Sequence, residues 1–193
     1  MSEIVPAKSA LLLMDFQAVI VGLAGDQAPA LLERAQAARA AAKAAGMAVM
    51  HVRVAFTEAD YGAVSPRNKS FAALGKSRFL TDGSEAAAIH AALAPAADEP
   101  VFTKTRVGAF STTALERALG ERGIDTLFLA GIATSGVVLS TLRDAADKDY
   151  RLFVLADCCA DQDAEVHRVL TEKVFPRQAD VIALADFQRL ISG

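Results

Sequence analysis

Short apolar runs alternate with longer amphipathic segments along the chain, and this alternation limits the possible folds more than any other feature. Strands are predicted over 10–16, 47–54, 99–103, 126–130, 151–156 and 181–184. Helices are predicted over 28–45, 84–93, 111–123, 164–174 and 187–191, and another follows the fourth strand from about residue 137. Such alternation is typical of βαβ units around a parallel sheet. The sequence therefore predicts an α/β fold, a three-layer αβα sandwich with a six-stranded, mainly parallel, Rossmann-like sheet.

The length and composition of the chain fit one compact domain. A chain of 193 residues is shorter than two typical domains require, so a single domain over 1–193 is expected. Hydrophobic residues make up 53% and charged residues 22%, a balance that excludes a disordered chain and a membrane protein. The first residues, MSEIVPAKSALLLMDF, lack the basic flank and the cleavage site of a signal peptide. A cytoplasmic location is therefore predicted.

The charge and cysteine content favour a small-molecule substrate as the partner. The formal net charge is -3 and the basic residues are scattered, so no surface for nucleic acid or for a membrane is indicated. The two cysteines, Cys158 and Cys159, are neighbours, and no Cys/His cluster has the spacing of a zinc site. No G-x-G-x-x-G motif follows the first strand, which disfavours a dinucleotide-binding oxidoreductase. We expect neither a metal nor a cofactor.

Two charged residues stand at predicted strand ends, where open parallel sheets bind ligands. Asp15 closes an apolar strand, so partial desolvation would raise its pKa and suit it to proton exchange; alternatively it caps the next turn. Lys104 follows the third strand, where an ammonium could hold a carboxylate ionised or stabilise negative charge on a substrate. A solvated surface lysine is the alternative. These two residues are the candidates for acid–base chemistry.

Other segments near the strand ends are weaker candidates for binding. The stretch 131–141, GIATSGVVLST, combines a tight turn with a helix start, whose free N–H groups suit an oxyanion; small residues packing helix against sheet are the alternative. Arg53 and Arg106 could grip a substrate carboxylate, or could be ordinary solvated charges. Residues 55–82 show no sustained period, and so long a loop in a compact domain is usually functional.

Three stretches in this order carry a resemblance to a known family: LLLMDFQ, VFTKTRVGAFSTTALE and GIATSGVVLSTLRDAADKDYRLFVLADCCAD. Together they resemble the isochorismatase-like superfamily, which includes nicotinamidases and other cysteine amidohydrolases. The resemblance implies that Asp15 is the catalytic aspartate and Lys104 the catalytic lysine. It also puts Val137 at the position of the nucleophilic cysteine. Valine cannot attack a carbonyl, so the covalent thioester route is not expected.

The resemblance also implies details of the turn and the substrate site. It implies a non-proline cis peptide between Ile132 and Ala133. The family's Asp-x-His metal site has no counterpart in HVRVAFTEADYG, the region after the second strand. Of the histidines, His51 is interpreted as a hydrogen-bonded core residue, and His90 and His167 as surface residues on the polar sides of helices. The predicted oxyanion or turn residues are Ile132, Ala133 and Gly136, and the substrate-binding candidates are Gln17, Arg53, Arg106, Phe110 and Thr134.

The leading functional hypothesis is a cofactor-independent hydrolase of a small, carboxylated metabolite. Asp15 would act as acid and base, Lys104 as its electrostatic partner, and an activated water would replace the thiol. Vinyl ethers, amides and imides are the substrate classes considered. The alternative is a catalytically silent member of the same fold that binds a ligand or supports an assembly. A homodimer or larger homo-oligomer is expected from the family resemblance.

Overall fold

The computed structural model describes residues 3–192 and contains a single six-stranded sheet. The strand order is β3-β2-β1-β4-β5-β6, and every neighbouring pair is parallel. The predicted fold class and the parallel six-stranded sheet are therefore confirmed. The strands are β1 (Ser9–Met14), β2 (Ala48–Val54), β3 (Val101–Lys104), β4 (Thr126–Ile132), β5 (Arg151–Ala160) and β6 (Asp180–Ile182).

Helices cover both faces of the sheet and complete the three layers. They are α1 (Ala18–Val21), α2 (Ala28–Ala44), α3 (Glu58–Ala63), α4 (Leu74–Ser77), α5 (Leu115–Glu121), α6 (Leu139–Ala146), α7 (Ala164–Val169) and α8 (Leu184–Ile191). Two π-helical turns, Thr134–Val138 and Leu170–Val174, precede α6 and follow α7. Within residues 3–192 no helix is long and apolar enough to cross a membrane.

Alternation along the buried strand β1 divides the core into two parts. Leu11 and Leu13 join the cluster beneath α2 and α8. Leu12 and Met14 join the cluster beneath α5 and α6 on the opposite face. Since side chains alternate across a strand, a β1 that is apolar on both faces belongs in the middle of the sheet, where it lies. The carboxyl end of β1 therefore lies near the middle of the row formed by the carboxyl ends of the six parallel strands.

The prediction of a helix over 84–93 is wrong. The segment forms two short 3-10 turns, Glu85–Ala87 and Ala91–Leu93, with extended backbone between them. Ser84 does cap the first turn, since its side chain accepts from the amide of Ala87. The chain then pairs with the segment after β1, where the His90 amide donates to the Phe16 carbonyl at 2.8 Å. Tertiary pairing has therefore overridden the helical propensity of these alanines.

Other boundaries differ from the predicted ones for local reasons. Strand β5 continues to Ala160 because its pairing with β4 resumes after an irregularity between Leu129 and Gly131. Helix α5 begins at Leu115 rather than near 111, and the Thr113 hydroxyl accepts from the Leu115 amide. Segment 55–82 contains α3 and α4 and packs around its own apolar cluster.

A buried ionic network fastens α2 to the edge of the sheet. The carboxylate of Glu99, just before β3, accepts from Arg39 of α2 at 2.9 and 2.6 Å and lies 3.0 Å from His51 Nε2 in β2. Burial acts to raise the pKa of Glu99, but hydrogen bonds from Arg39, the Ala96 amide, His51 and Lys43 outweigh it and lower the pKa from 4.5 to about 2. The prediction that His51 is a hydrogen-bonded core residue is confirmed.

Glu99→Ala should destabilise the fold by about 1–3 kcal/mol, because it leaves the buried His51 and the partly buried Arg39 without their acceptor. Urea denaturation at pH 7 measures this loss. The exposed neighbour in the same network, Asp98, supplies the control Asp98→Ala, which should change the free energy of unfolding far less. Since the pKa of Glu99 is lowered on folding, its contribution is complete above pH 4.5 and is lost as the pH falls toward 2. A variant as stable as the parent protein at pH 7 would contradict this role.

Candidate active site

The structure brings Asp15 and Lys104 together at the carboxyl edge of the sheet. Asp15 directly follows β1 and Lys104 ends β3, with β2 between the two strands. The Lys104 Nζ lies 2.8 Å from Asp15 Oδ2, and the two residues are 2% and 5% exposed. A carboxylate and an ammonium that are far apart in sequence thus form one buried ion pair.

The second carboxylate oxygen of Asp15 has no bond of its own. Oδ1 is buried and has no hydrogen-bond partner among the described residues. The Asp15 backbone has a φ of 57°, in the left-handed region, which aspartate tolerates better than most residues. Its amide donates to the Val52 carbonyl at 2.8 Å, and Lys104 Nζ also donates to the Arg106 carbonyl at 3.2 Å. Asp15 therefore retains free acceptor capacity in an otherwise bonded site.

Burial determines the protonation behaviour of this pair. Desolvation raises the pKa of Asp15 above its ordinary value of 3.8, and the Lys104 ammonium at hydrogen-bond distance opposes part of that rise. A carboxyl group with a raised pKa holds its proton closer to neutral pH than a surface aspartate does. In chemical terms such a group is suited to proton exchange.

The turn after β4 lies beside the end of β1 because the two backbones approach closely. Gly131 pairs with Met14, and a Cβ at Gly131 would lie 2.6 Å from the Met14 carbonyl oxygen. Only glycine fits so close an approach. The sequence predicted a tight turn at this position but not the contact with Met14. The peptide bond between Ile132 and Ala133 is cis, as predicted. The turn continues through Gly136 and Val137 into α6.

Val137, at the expected nucleophile position, and the two cysteines of the chain are all buried. Val137 is 2% exposed and belongs to the apolar cluster beneath α5 and α6. Cys158 and Cys159 lie in β5 and are buried. Burial raises the pKa of Cys159 to about 12 and raises that of Cys158 as well, with Asp157 adding to both shifts. A thiol with a raised pKa is a poorer nucleophile near neutral pH than an exposed cysteine.

Gln17 and Phe110, two of the substrate-binding candidates, have structural contacts. The Gln17 amide donates to the carbonyls of Val54 and Ala87, both at 2.9 Å, and its oxygen accepts from the Val54 amide at 2.8 Å. Phe110 is buried and packs against Tyr150, with ring centroids 6.2 Å apart. Gln17 thus ties the start of α1 to β2, and Phe110 belongs to the core.

The two candidate arginines also have partners within the protein. Arg53 forms a salt bridge of 2.5 Å with Asp82 and donates to the Thr103 hydroxyl at 3.1 Å. Arg106 donates to the Thr105 carbonyl at 2.6 Å. The salt bridge with Asp82 ties Arg53 to the long segment 55–82. The sequence pattern did not indicate this contact.

The interpretation of His90 as a surface residue on a helix is wrong, whereas that of His167 is right about the helix but overstates its exposure. His90 is partly buried and precedes a 3-10 turn, where its Nδ1 accepts from the Ala92 amide at 3.2 Å. His167 lies in α7 and is also partly buried, with its Nδ1 2.8 Å from the hydroxyl oxygen of Thr134 in the turn after β4. Burial lowers the pKa of His167, although the Asp161 carboxylate opposes the shift. No periodicity in the sequence signals this contact between distant segments.

In residues 3–192, no cluster of three or more His, Cys, Asp or Glu side chains is placed to hold a metal ion. The chemistry that the site offers is that of a carboxyl group, an ammonium and the polar backbone of the turn.

Comparison with known proteins gives one consistent family. Residues 9–186 match the family described as the Isochorismatase domain. Maleamate amidohydrolase of Pseudomonas putida is 31% identical over 185 residues, which cover 93% of this chain and 84% of that enzyme. The match to the family therefore extends over nearly the whole chain.

Solved structures agree with this assignment. The structure of a cysteine hydrolase from Pseudomonas syringae pv. phaseolicola has a TM-score of 0.89 at 22% identity and covers 100% of this chain and 96% of that one. An isochorismatase family protein from Burkholderia thailandensis has a TM-score of 0.83 at 25% identity, with 99% of each chain covered. The first likeness establishes the fold, and the sequence matches establish the relationship. The chain belongs to the isochorismatase family of hydrolases.

Proposed function

We propose that this protein hydrolyses a small metabolite by acid–base catalysis, with water as the nucleophile in place of a cysteine thiol. Asp15 transfers the proton, and Lys104 stabilises the charge that develops on Asp15 or on the substrate. The turn residues Ile132, Ala133 and Gly136 would face the reacting group. The substrate would be an amide, an imide or a vinyl ether.

The observation that carries this proposal is the state of the Asp15 carboxylate. One oxygen is bonded to Lys104, and the other is buried without a partner within the described residues. A buried polar atom without a partner is costly, so a water molecule or a substrate atom bonded there would remove an existing penalty. A water held by Asp15 Oδ1 would occupy the place of the attacking group.

The known relatives favour an amide within these classes. Maleamate amidohydrolase, as its name states, hydrolyses the amide maleamate, and it aligns along 93% of this chain. Hydrolysis of an amide requires a nucleophile for the carbonyl carbon and a proton for the departing nitrogen. Water and the Asp15 carboxyl group would supply these two functions here.

A catalytically silent scaffold is the second candidate, and the burial of the site favours it. Asp15 and Lys104 are almost fully enclosed, and Val137 fills the expected nucleophile position with an apolar side chain. Such a protein would bind a ligand or support an assembly without turning it over. The cytoplasmic location and the homodimer or larger homo-oligomer expected from the sequence stay predictions.

Asp15→Asn should reduce turnover by about 100-fold or more, because the amide cannot transfer the proton. The measurement is a screen of small amides, imides and vinyl ethers with the purified protein, followed by kinetics on each substrate found. Asparagine suits the test because it also tolerates the left-handed backbone at this position.

Asp149→Asn provides a matched control for this test. Asp149 also has a left-handed backbone, with a φ of 62°, but it is exposed and precedes β5 at the opposite edge of the sheet. It should retain parental turnover. Equal turnover by the parent protein and by Asp15→Asn would exclude the proposed role of Asp15. A parent protein inactive on every substrate of the screen would favour the silent scaffold.

Lys104→Met should move the titration of Asp15 to higher pH. Lys104 lowers a pKa that burial raises, so loss of the ammonium lets that pKa rise further. If Asp15 acts as an acid, turnover falls as the pH rises through its pKa, and this fall moves upward in the variant. If it acts as a base, the rise of turnover with pH moves upward instead. Profiles of kcat against pH measure the shift, with the exposed Lys173→Met as control; an unchanged or lowered midpoint would contradict the coupling.

Val137→Cys should accelerate amide hydrolysis relative to the parent protein. If Val137 occupies the nucleophile position, the Lys104 ammonium would stabilise the thiolate there. Val138→Cys is the matched control, since Val138 is the adjacent buried valine in the same turn. Amide turnover of both variants is the measurement. Identical behaviour of the two variants would show that position 137 has no special relation to the charged pair.

A further inference from the structure

The turn after β4 is held from outside by a segment that follows β5. Residues 161–167 reach it at two successive positions. The Asp161 Oδ2 accepts from the Ser135 amide at 2.7 Å, and the His167 Nδ1 lies 2.8 Å from the Thr134 hydroxyl oxygen. Thr134 is 0% exposed, so within the protein the imidazole replaces the water that would otherwise satisfy this hydroxyl.

The supporting segment is itself fixed in place. Asp163 caps α7 by accepting from the amides of Glu165 and Val166 at 2.8 and 3.3 Å. The Thr171 hydroxyl donates back to the His167 carbonyl at 2.9 Å. The backbone that carries His167 therefore has bonds on both sides of the residue, which limits the positions that its ring can adopt.

The hydrogen bonds within the turn do not involve the Thr134 hydroxyl or the Ser135 amide, which are bonded from outside the turn. The amides of Gly136 and Val138 both donate to the Ala133 carbonyl, at 3.0 and 3.3 Å. Thr134 and Ser135 lie between Ala133 and Gly136. The Thr134 hydroxyl is bonded to His167 of α7, and the Ser135 amide is bonded to Asp161 in the loop before α7. The two external bonds thus add to the internal ones and tie the turn to the segment after β5.

We propose that His167 and Asp161 are positioning residues of the active site, which act through Thr134 and Ser135 to hold the turn beside Asp15. Neither residue is proposed to contact the substrate. Their effect is on the placement of the turn's backbone relative to the Asp15–Lys104 pair, and misplacement of catalytic groups is costly even when it is small. The effect on turnover depends on the function proposed above, whereas the effect on the turn does not.

The test uses paired substitutions at both ends of the imidazole contact. His167→Leu and Thr134→Val each remove the bond with little change of volume, and each should lower kcat by about 10- to 100-fold with little change in KM. The double variant should be no worse than either single variant, because both remove the same interaction. His167→Asn, whose amide can bond to the Thr134 hydroxyl, should recover most of the lost kcat. Arg168→Ala, next to His167 and paired with Glu165 and Glu172 at the surface, is the control with parental activity.

Hydrogen exchange gives a readout that does not depend on turnover. Amides of residues 133–138 should exchange about tenfold faster in His167→Leu and Asp161→Ala, and at parental rates in His167→Asn. Unchanged exchange, or additive losses in the double variant, would overturn the positioning role. Faster exchange in these variants together with unchanged turnover in Asp15→Asn would instead retain the support of the turn and reject the proposed function.

Discussion

The buried ion pair between Asp15 and Lys104 is the constraint around which this end of the molecule is organised. It joins the ends of β1 and β3 across β2 at a distance of 2.8 Å. Moving two charges out of water costs several kcal/mol each, and well-packed apolar side chains often give equal or greater stability in the same place. Stability alone therefore does not account for the pair, whereas the proton transfer proposed above would use both charges.

Much of the fold and one part of the site follow from the sequence because they depend on local patterns. The apolar run of β1 is buried on both faces, so its place in the middle of a parallel sheet follows from its composition. The positions of Asp15 and Lys104 at strand ends then imply that they lie at the same sheet edge. The short distance between them also depends on the strand order, which the periodicity of the sequence could not supply.

The parts that sequence reasoning missed depend on contacts between distant segments. The alanines of 84–93 favour a helix, yet pairing of the His90 amide with the Phe16 carbonyl keeps the chain extended between two turns. His167 fits the polar side of a helix when α7 is considered alone, and its bond to Thr134 arises only when α7 packs beside the turn. Gln17 and Arg53 had suitable chemistry for a substrate, but the fold uses both side chains to join its own elements.

Val137 and the charged pair differ in how their positions can be explained. A valine in an apolar cluster contributes packing and needs no further cause. The turn that carries it is different, because Gly131 allows it to approach Met14 closely and the side chains of His167 and Asp161 bond to its outer side. Fixing the side chains of His167 and Asp161 costs conformational entropy. That cost has a purpose if the backbone of the turn must keep a fixed position relative to Asp15. A water-dependent reaction would need that register, because the turn and Asp15 would together fix the water and the substrate in the absence of a covalent bond.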